Sequence, residues 1–341
     1  MTISEQQLVC TRPFEWFEIH PDGSVFLCCP AWLKRPIGNL LRQSIDDIWN
    51  GPVAQEIRKS VSNGSFHNCS AKRCPHLLNR TAPVKCIDEV ADDELKVAIA
   101  AKKGKVSFLP RQLNLCFDHS CNLACPSCRN KIQQASGLEL QRAQRISQIL
   151  QQKLIPHAHH ITLSGFGDPF ASPTYYNLLR TFNQRDFPEL QQVRLHTNGQ
   201  LLTKQMWQSL PDLPPLVSEI EISLDAATEQ SYRLNRPGGD FQRLLQNLDF
   251  LKTTGCRLTL SMVVQQNNRH EISLLGNLAE KLGATLYLSK LVNWGTFSRQ
   301  EYQRRAVHLS NHPEHADFVI QLQQLDKSAT RFGNLSPLLK P

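Results

Sequence analysis

No apolar run in this chain approaches the ~20 residues that a membrane-crossing helix needs. Met1 to Cys10 has neither a basic stretch nor an apolar core, so no secretory signal and no membrane attachment are expected, and the reading is cytoplasmic. The formal net charge is +8, yet the cations are scattered. The densest basic stretch, Lys102, Lys103 and Lys105, follows the acidic run Asp88 to Glu94, and together they read as a solvated helix face and a turn. No aromatic-plus-basic element accompanies them, so nucleic acid is not an expected partner. Apolar residues at 40% and charged residues at 20% exclude wholesale disorder. A length of 341 residues suits about two domains and a core that needs no disulfide staples.

Cysteine, by contrast, is abundant: there are 11, and ten of them precede residue 129. In a reducing compartment, clustered thiols point to metal binding or to chemistry rather than to a disulfide framework. Cys256, alone in an apolar stretch, reads as a small core residue. Residues 1–84 have little apolar periodicity. A hairpin is expected over Phe17 to Cys29, turning at Pro21-Asp22-Gly23, and a helix over Ser44 to Lys59. So small a core calls for a metal staple. Residues 85–110 read as a charged helical connector.

From Arg111 the pattern changes. Strands are expected at 112–116, 159–164, 192–197, 218–224, 256–264 and 285–291, with helices between them at 138–153, 174–183, 204–210, 241–253 and 271–282. Strand–helix alternation implies parallel strands and right-handed crossovers. The expected fold class is α/β: a partial (β/α)6 TIM-like barrel over 111–300, preceded by a small Cys-rich domain over 1–84 and followed by a helical tail over 301–341. Several strands alternate, as in Glu219-Ile220-Glu221-Ile222-Ser223-Leu224-Asp225 and in Val193-Arg194-Leu195-His196. With the apolar face against helices, the polar face, including Glu219, Glu221, Arg194 and His196, lines the interior of the barrel.

Directly after the first of these strands comes Cys121-Asn122-Leu123-Ala124-Cys125-Pro126-Ser127-Cys128. Three thiolates at this spacing can hold three irons of a 4Fe–4S cluster, leaving the fourth iron open to a small molecule. The alternative is a tetrahedral zinc site with Cys116 as fourth ligand. At these residues the chain resembles the radical S-adenosylmethionine (SAM) superfamily. Later motifs agree, each at a strand end: Ser164-Gly165-Phe166-Gly167-Asp168-Pro169, Thr197-Asn198-Gly199, Ser223-Leu224-Asp225-Ala226 and Asn235-Arg236-Pro237-Gly238-Gly239.

The resemblance implies SAM contacts from Gly165, Gly167, Asp168, Pro169, Asn198, Ser223, Asp225 and Arg236. Asp168 is expected to receive the ammonium and Arg236 to pair with the carboxylate. Two departures stand out: Ser127 replaces a common aromatic before the third cysteine, and Gly-Phe-Gly-Asp replaces a Gly-Gly-Glu element.

Residues 1–84 resemble the SPASM domain, an auxiliary iron–sulfur module. Cys10, then Gly23 with four residues before Cys28, then Cys69 and Cys74 carry this likeness. It implies one fully ligated 4Fe–4S cluster through Cys10, Cys28, Cys69 and Cys74, with Cys29 the neighbouring competitor. Here the module precedes the barrel instead of following it, and has about four cysteines rather than seven. A zinc knot with the same ligands is the alternative. The resemblance implies a radical SAM enzyme that cleaves SAM reductively and uses a 5′-deoxyadenosyl radical on a peptide or protein substrate, with a flavodoxin or ferredoxin as reductant. The rival readings are the same chemistry on a sugar or small metabolite, and a non-catalytic iron–sulfur electron carrier.

Overall fold

The computed structural model describes residues 8–163 and 166–339. It is a mixed α/β fold with largely parallel strands, in two compact units.

The first unit holds the described residues up to Asp118 together with 136–163 and 182–192. The expected hairpin is present: Trp16–Ile19 pairs antiparallel with Ser24–Phe26, which pairs with Gly38–Asn39. Gly23 takes φ +83° in the turn, where a Cβ would stand 2.8 Å from Asn39 Oδ1, so only glycine fits without strain. Trp16–Ile19 also pairs in parallel with Gln112–Leu115, the first strand of the β/α series, which pairs with His160–Leu163. The helix expected over 44–59 is instead two helices, Ile45–Trp49 and Pro52–Ser62. Pro52 lacks the amide that would continue the first helix, and Gly51 takes an extended conformation before it. Ser44 caps the first helix by accepting from the Asp47 amide. Arg58 holds this region from inside. Its guanidinium is buried, donates to the carbonyls of Pro13, Trp49 and Gly104, and lies 4.1 Å from the Trp49 ring.

The second unit holds 119–135, 166–181 and 193 onward. The strand Gln192–Thr197 pairs in parallel with Val217–Ser223, that with Arg257–Val264, and that with Thr285–Lys290. The tail after residue 300 is helical at His315–Gln323, but it also adds a short parallel strand, Thr330–Arg331. Ile220, Ile222, Leu258, Leu260, Met262, Leu286 and Leu288 are buried on the apolar side of this sheet. The alternate residues pair among themselves: Arg194 with Glu219 at 3.0 Å, His196 with Ser223 at 2.7 Å and with Glu221 at 3.4 Å, and Thr259 with Glu219. No helix among the described residues is long and apolar enough to cross a membrane.

Candidate active site

The loop 119–135 carries Cys121, Cys125 and Cys128. Cys121 is tied to Gln133 by a backbone bridge, and the amides of Cys128 and Arg129 both donate to the Cys125 carbonyl, making a tight turn. Leu123 is fully buried between the first two thiols, while Cys128 is exposed. The Ala124 amide donates to the Pro237 carbonyl at 3.2 Å, and Gly238, at φ +91°, packs against this turn.

Three further strand-end loops meet it. The Asp168 amide donates to the Ser120 carbonyl, and the Asp168 carboxylate accepts from Phe170 N, Thr197 Oγ1 (2.7 Å) and Asn198 N (2.8 Å). Asn198 in turn donates to Asn122 Oδ1 at 2.9 Å and lies 3.8 Å from Cys121 Sγ. Asp225, at φ +58°, accepts from the Val263 amide and pairs with Arg236 at 2.7 Å. Arg236 extends its other amino group to Cys125 Sγ at 3.5 Å. Burial opposes the Arg236 charge, but Asp225, Cys125 and Tyr232 outweigh it and hold its pKa above the ordinary arginine value. Burial pushes the Cys121 and Cys125 thiols up, with Arg236 pulling Cys125 back down.

Most of the residues expected to bind SAM are thus drawn around one loop. Gly165 lies outside the described residues. Gly167 is half-buried and Pro169 buried beside Asp168. Two side chains are already engaged with protein partners: Asp168 holds the Thr197–Asn198 turn, and Arg236 holds Asp225. Ser223 faces the polar side of the sheet, on His196. Sequence reasoning passed over Arg129, although it directly follows Cys128. Its guanidinium reaches the His119 carbonyl at 2.7 Å, the Phe166 carbonyl, and Cys128 Sγ at 3.5 Å.

In the first unit, Cys10 ends the strand Leu8–Cys10, Cys28 and Cys29 follow Ser24–Phe26, and Cys74 precedes the helix Pro75–Asn79. These thiols are mutual electrostatic neighbours: Cys10 feels Cys69 and Cys74, Cys28 feels Cys10, and Cys29 feels Cys74. Burial pushes Cys10 up to about 12 and Cys69 to about 11. Metal binding here must therefore displace protons. Trp32 Nε1 donates to Cys28 Sγ at 3.0 Å.

A single tetrahedral ion needs its thiolates converged about 2.3 Å from one centre. Among the described residues no group of three or more His, Cys, Asp or Glu converges in that way. The donor sets, three thiols on one loop and four or five from separated turns, match in kind and number the all-cysteine ligation of iron–sulfur clusters.

Comparison with known proteins agrees with this geometry. Residues 117–278 match the radical SAM superfamily, and residues 10–75 match SPASM, an iron–sulfur cluster-binding domain. Among curated relatives, mycofactocin maturase MftC of Mycobacterium tuberculosis is 26% identical over 51% of this chain and 42% of its own length. An AdoMet-dependent heme synthase of Methanosarcina barkeri is 24% identical over 52% of this chain and 49% of its own. A PqqA peptide cyclase of Granulibacter bethesdensis is 24% identical over 53% of this chain and 48% of its own. In each case the chain spans less than half the relative's length.

Proposed function

Because the chain belongs to the radical SAM superfamily and carries a SPASM iron–sulfur domain ahead of that core, we propose that it cleaves SAM reductively and modifies a peptide or protein substrate. The observation that carries this reading is the single loop bearing Cys121, Cys125 and Cys128, gathered by three strand-end loops and lacking a fourth thiol. Such a set leaves one iron of a bound 4Fe–4S cluster open. Held by these thiols, a cluster with SAM would supply radical hydrogen-abstraction chemistry, through a 5′-deoxyadenosyl radical, at the substrate.

The chain's own residues orient and enclose. Asp168 fixes the Thr197–Asn198 turn, which sets Asn198 beside Cys121. Leu123 keeps water from the space between the first two thiols. Gly167 and Pro169 shape the adjacent strand-end loop. The paired polar side chains Arg194, Glu219, His196 and Glu221 offer hydrogen-bonding groups to a polar substrate. A peptide cyclase among the relatives supports a peptide substrate; the heme synthase supports a small metabolite as the second reading.

In the first unit, Cys10, Cys28, Cys69 and Cys74 would hold an auxiliary, fully ligated cluster. The Trp32 N–H supports Cys28 as the ligand, with Cys29, which accepts from the Ala31 amide, as its competitor. A flavodoxin or ferredoxin would supply electrons. The test is anaerobic reconstitution, which should give about eight irons per chain. Cys121→Ala, Cys125→Ala and Cys128→Ala together should leave about half of them and abolish 5′-deoxyadenosine formation. SAM cleavage by the triple variant would end the reading. Zinc, or only four irons, in the intact protein would remove the auxiliary cluster alone.

A further inference from the structure

We infer that Arg129 is the counter-charge of the cluster on Cys121, Cys125 and Cys128 and raises its reduction potential; this rests on the function proposed above. Each of the three thiols has a side-chain N–H donor at hand: Asn198 at 3.8 Å from Cys121, Arg236 at 3.5 Å from Cys125, and Arg129 at 3.5 Å from Cys128. The two arginines differ in what balances them. Arg236 is neutralised by Asp225 at 2.7 Å. Arg129 is 8% exposed, and its other bonds go to the carbonyls of His119 and Phe166 and, at 3.5 Å, to Gln133 Oε1. Among the described residues no carboxylate pairs with it.

A buried cation held only by neutral acceptors is costly unless an anion completes its surroundings. The groups around it that can become anionic are the thiols of Cys128, in direct contact at 3.5 Å, and of Cys121. A 4Fe–4S core of charge +2 with three thiolates carries a net −1, and one-electron reduction makes it −2. The guanidinium stabilises the reduced form more than the oxidised one, so it raises the potential. Arg129 acts through Cys128 and is a positioning and tuning residue.

The experiment is an EPR-monitored redox titration of anaerobically reconstituted full-length protein, following the signal that SAM perturbs, in wild type, Arg129→Gln and Arg129→Lys. The Gln variant should shift to a more negative potential, and Lys, which restores the charge, should move it back toward wild type. An Arg129→Gln protein with full iron and an unchanged potential overturns the inference. A Gln variant that takes up no barrel cluster while Lys loads normally supports it. Folded Gln and Lys variants that both fail to load make Arg129 purely structural and overturn it. If Cys121→Ala retains the SAM-responsive signal, the proposed site itself fails; an unchanged potential with that signal intact fails only the role of Arg129.

Discussion

Asp168 separates two accounts of the site. Its carboxylate is 1% exposed and spends three acceptor positions on protein: Phe170 N at 3.0 Å, Thr197 Oγ1 at 2.7 Å and Asn198 N at 2.8 Å. Asp168→Asn keeps the shape but offers one oxygen, so an amide N–H must face either the Phe170 amide or the Asn198 amide. Losing one bond to a charged acceptor costs about 1.5–3 kcal/mol. That is a fall of roughly 3–12 °C in the thermal midpoint of a unit of this size. Asp168→Ala abandons all three bonds and should cost roughly 4 kcal/mol or more. The paired assay is SAM affinity of the reconstituted Asn variant by equilibrium dialysis. If the carboxylate serves as an anchor, affinity falls less than about tenfold. If it receives the ammonium directly, loss of a charge-assisted bond costs about tenfold or more. An Asn variant with unchanged thermal stability and SAM affinity reduced a hundredfold would refute the anchor.

Asp225→Asn strands the Arg236 guanidinium and should cost about 3–5 kcal/mol in denaturant unfolding. Combined with Arg236→Gln the loss should fall short of the sum of the two single losses by at least about 1 kcal/mol, and strict additivity would show the pair to be uncoupled. His308 is pushed down to about 4, first by burial and then by Lys290, His315 and His312. Above about pH 6.5 it is neutral folded or unfolded and stability is unaffected. As pH falls from 6.5 toward 4, only the unfolded chain takes up the proton, so stability drops, by up to about 2 kcal/mol at pH 5, and levels off below 4. His308→Gln should flatten that part of the stability–pH curve, and an identical curve would exclude His308 as its source.

The β/α series was legible because strand alternation and helix caps are local: expected and observed strands from 192 to 290 differ by about one residue at their ends. The cysteine loop was legible because its three thiols lie within eight residues. Side-chain partners were not. Asp168 meets Asn198 across 30 positions, and Arg236 meets Cys125 across 111, so no spacing announces either. Family likeness pointed both residues at a ligand, whereas their nearest partners are protein. Arg129 was visible as a cation after Cys128, but its direction depends on where the Phe166 carbonyl comes to lie. The split of the helix between 44 and 62 was readable in Asn50-Gly51-Pro52, yet the amphipathic stretch on both sides masked it.

Asp225 combines a left-handed backbone with four polar attachments. Its carbonyl is held by the side-chain amides of Asn235 and Asn268, and its carboxylate by Val263 N and Arg236. Tolerance to replacement at this position is therefore nearly nil, and for two separable reasons. Glycine would keep the turn and lose the acceptor; glutamate would keep an acceptor, too far out, and strain the turn; a β-branched residue would lose both. Asparagine alone preserves the backbone and part of the grip. A saturation library at codon 225, sorted for folded protein, should return Asp with a minority of Asn. Sorted for activity, it should narrow to Asp, so the difference between the two selections isolates what the negative charge contributes.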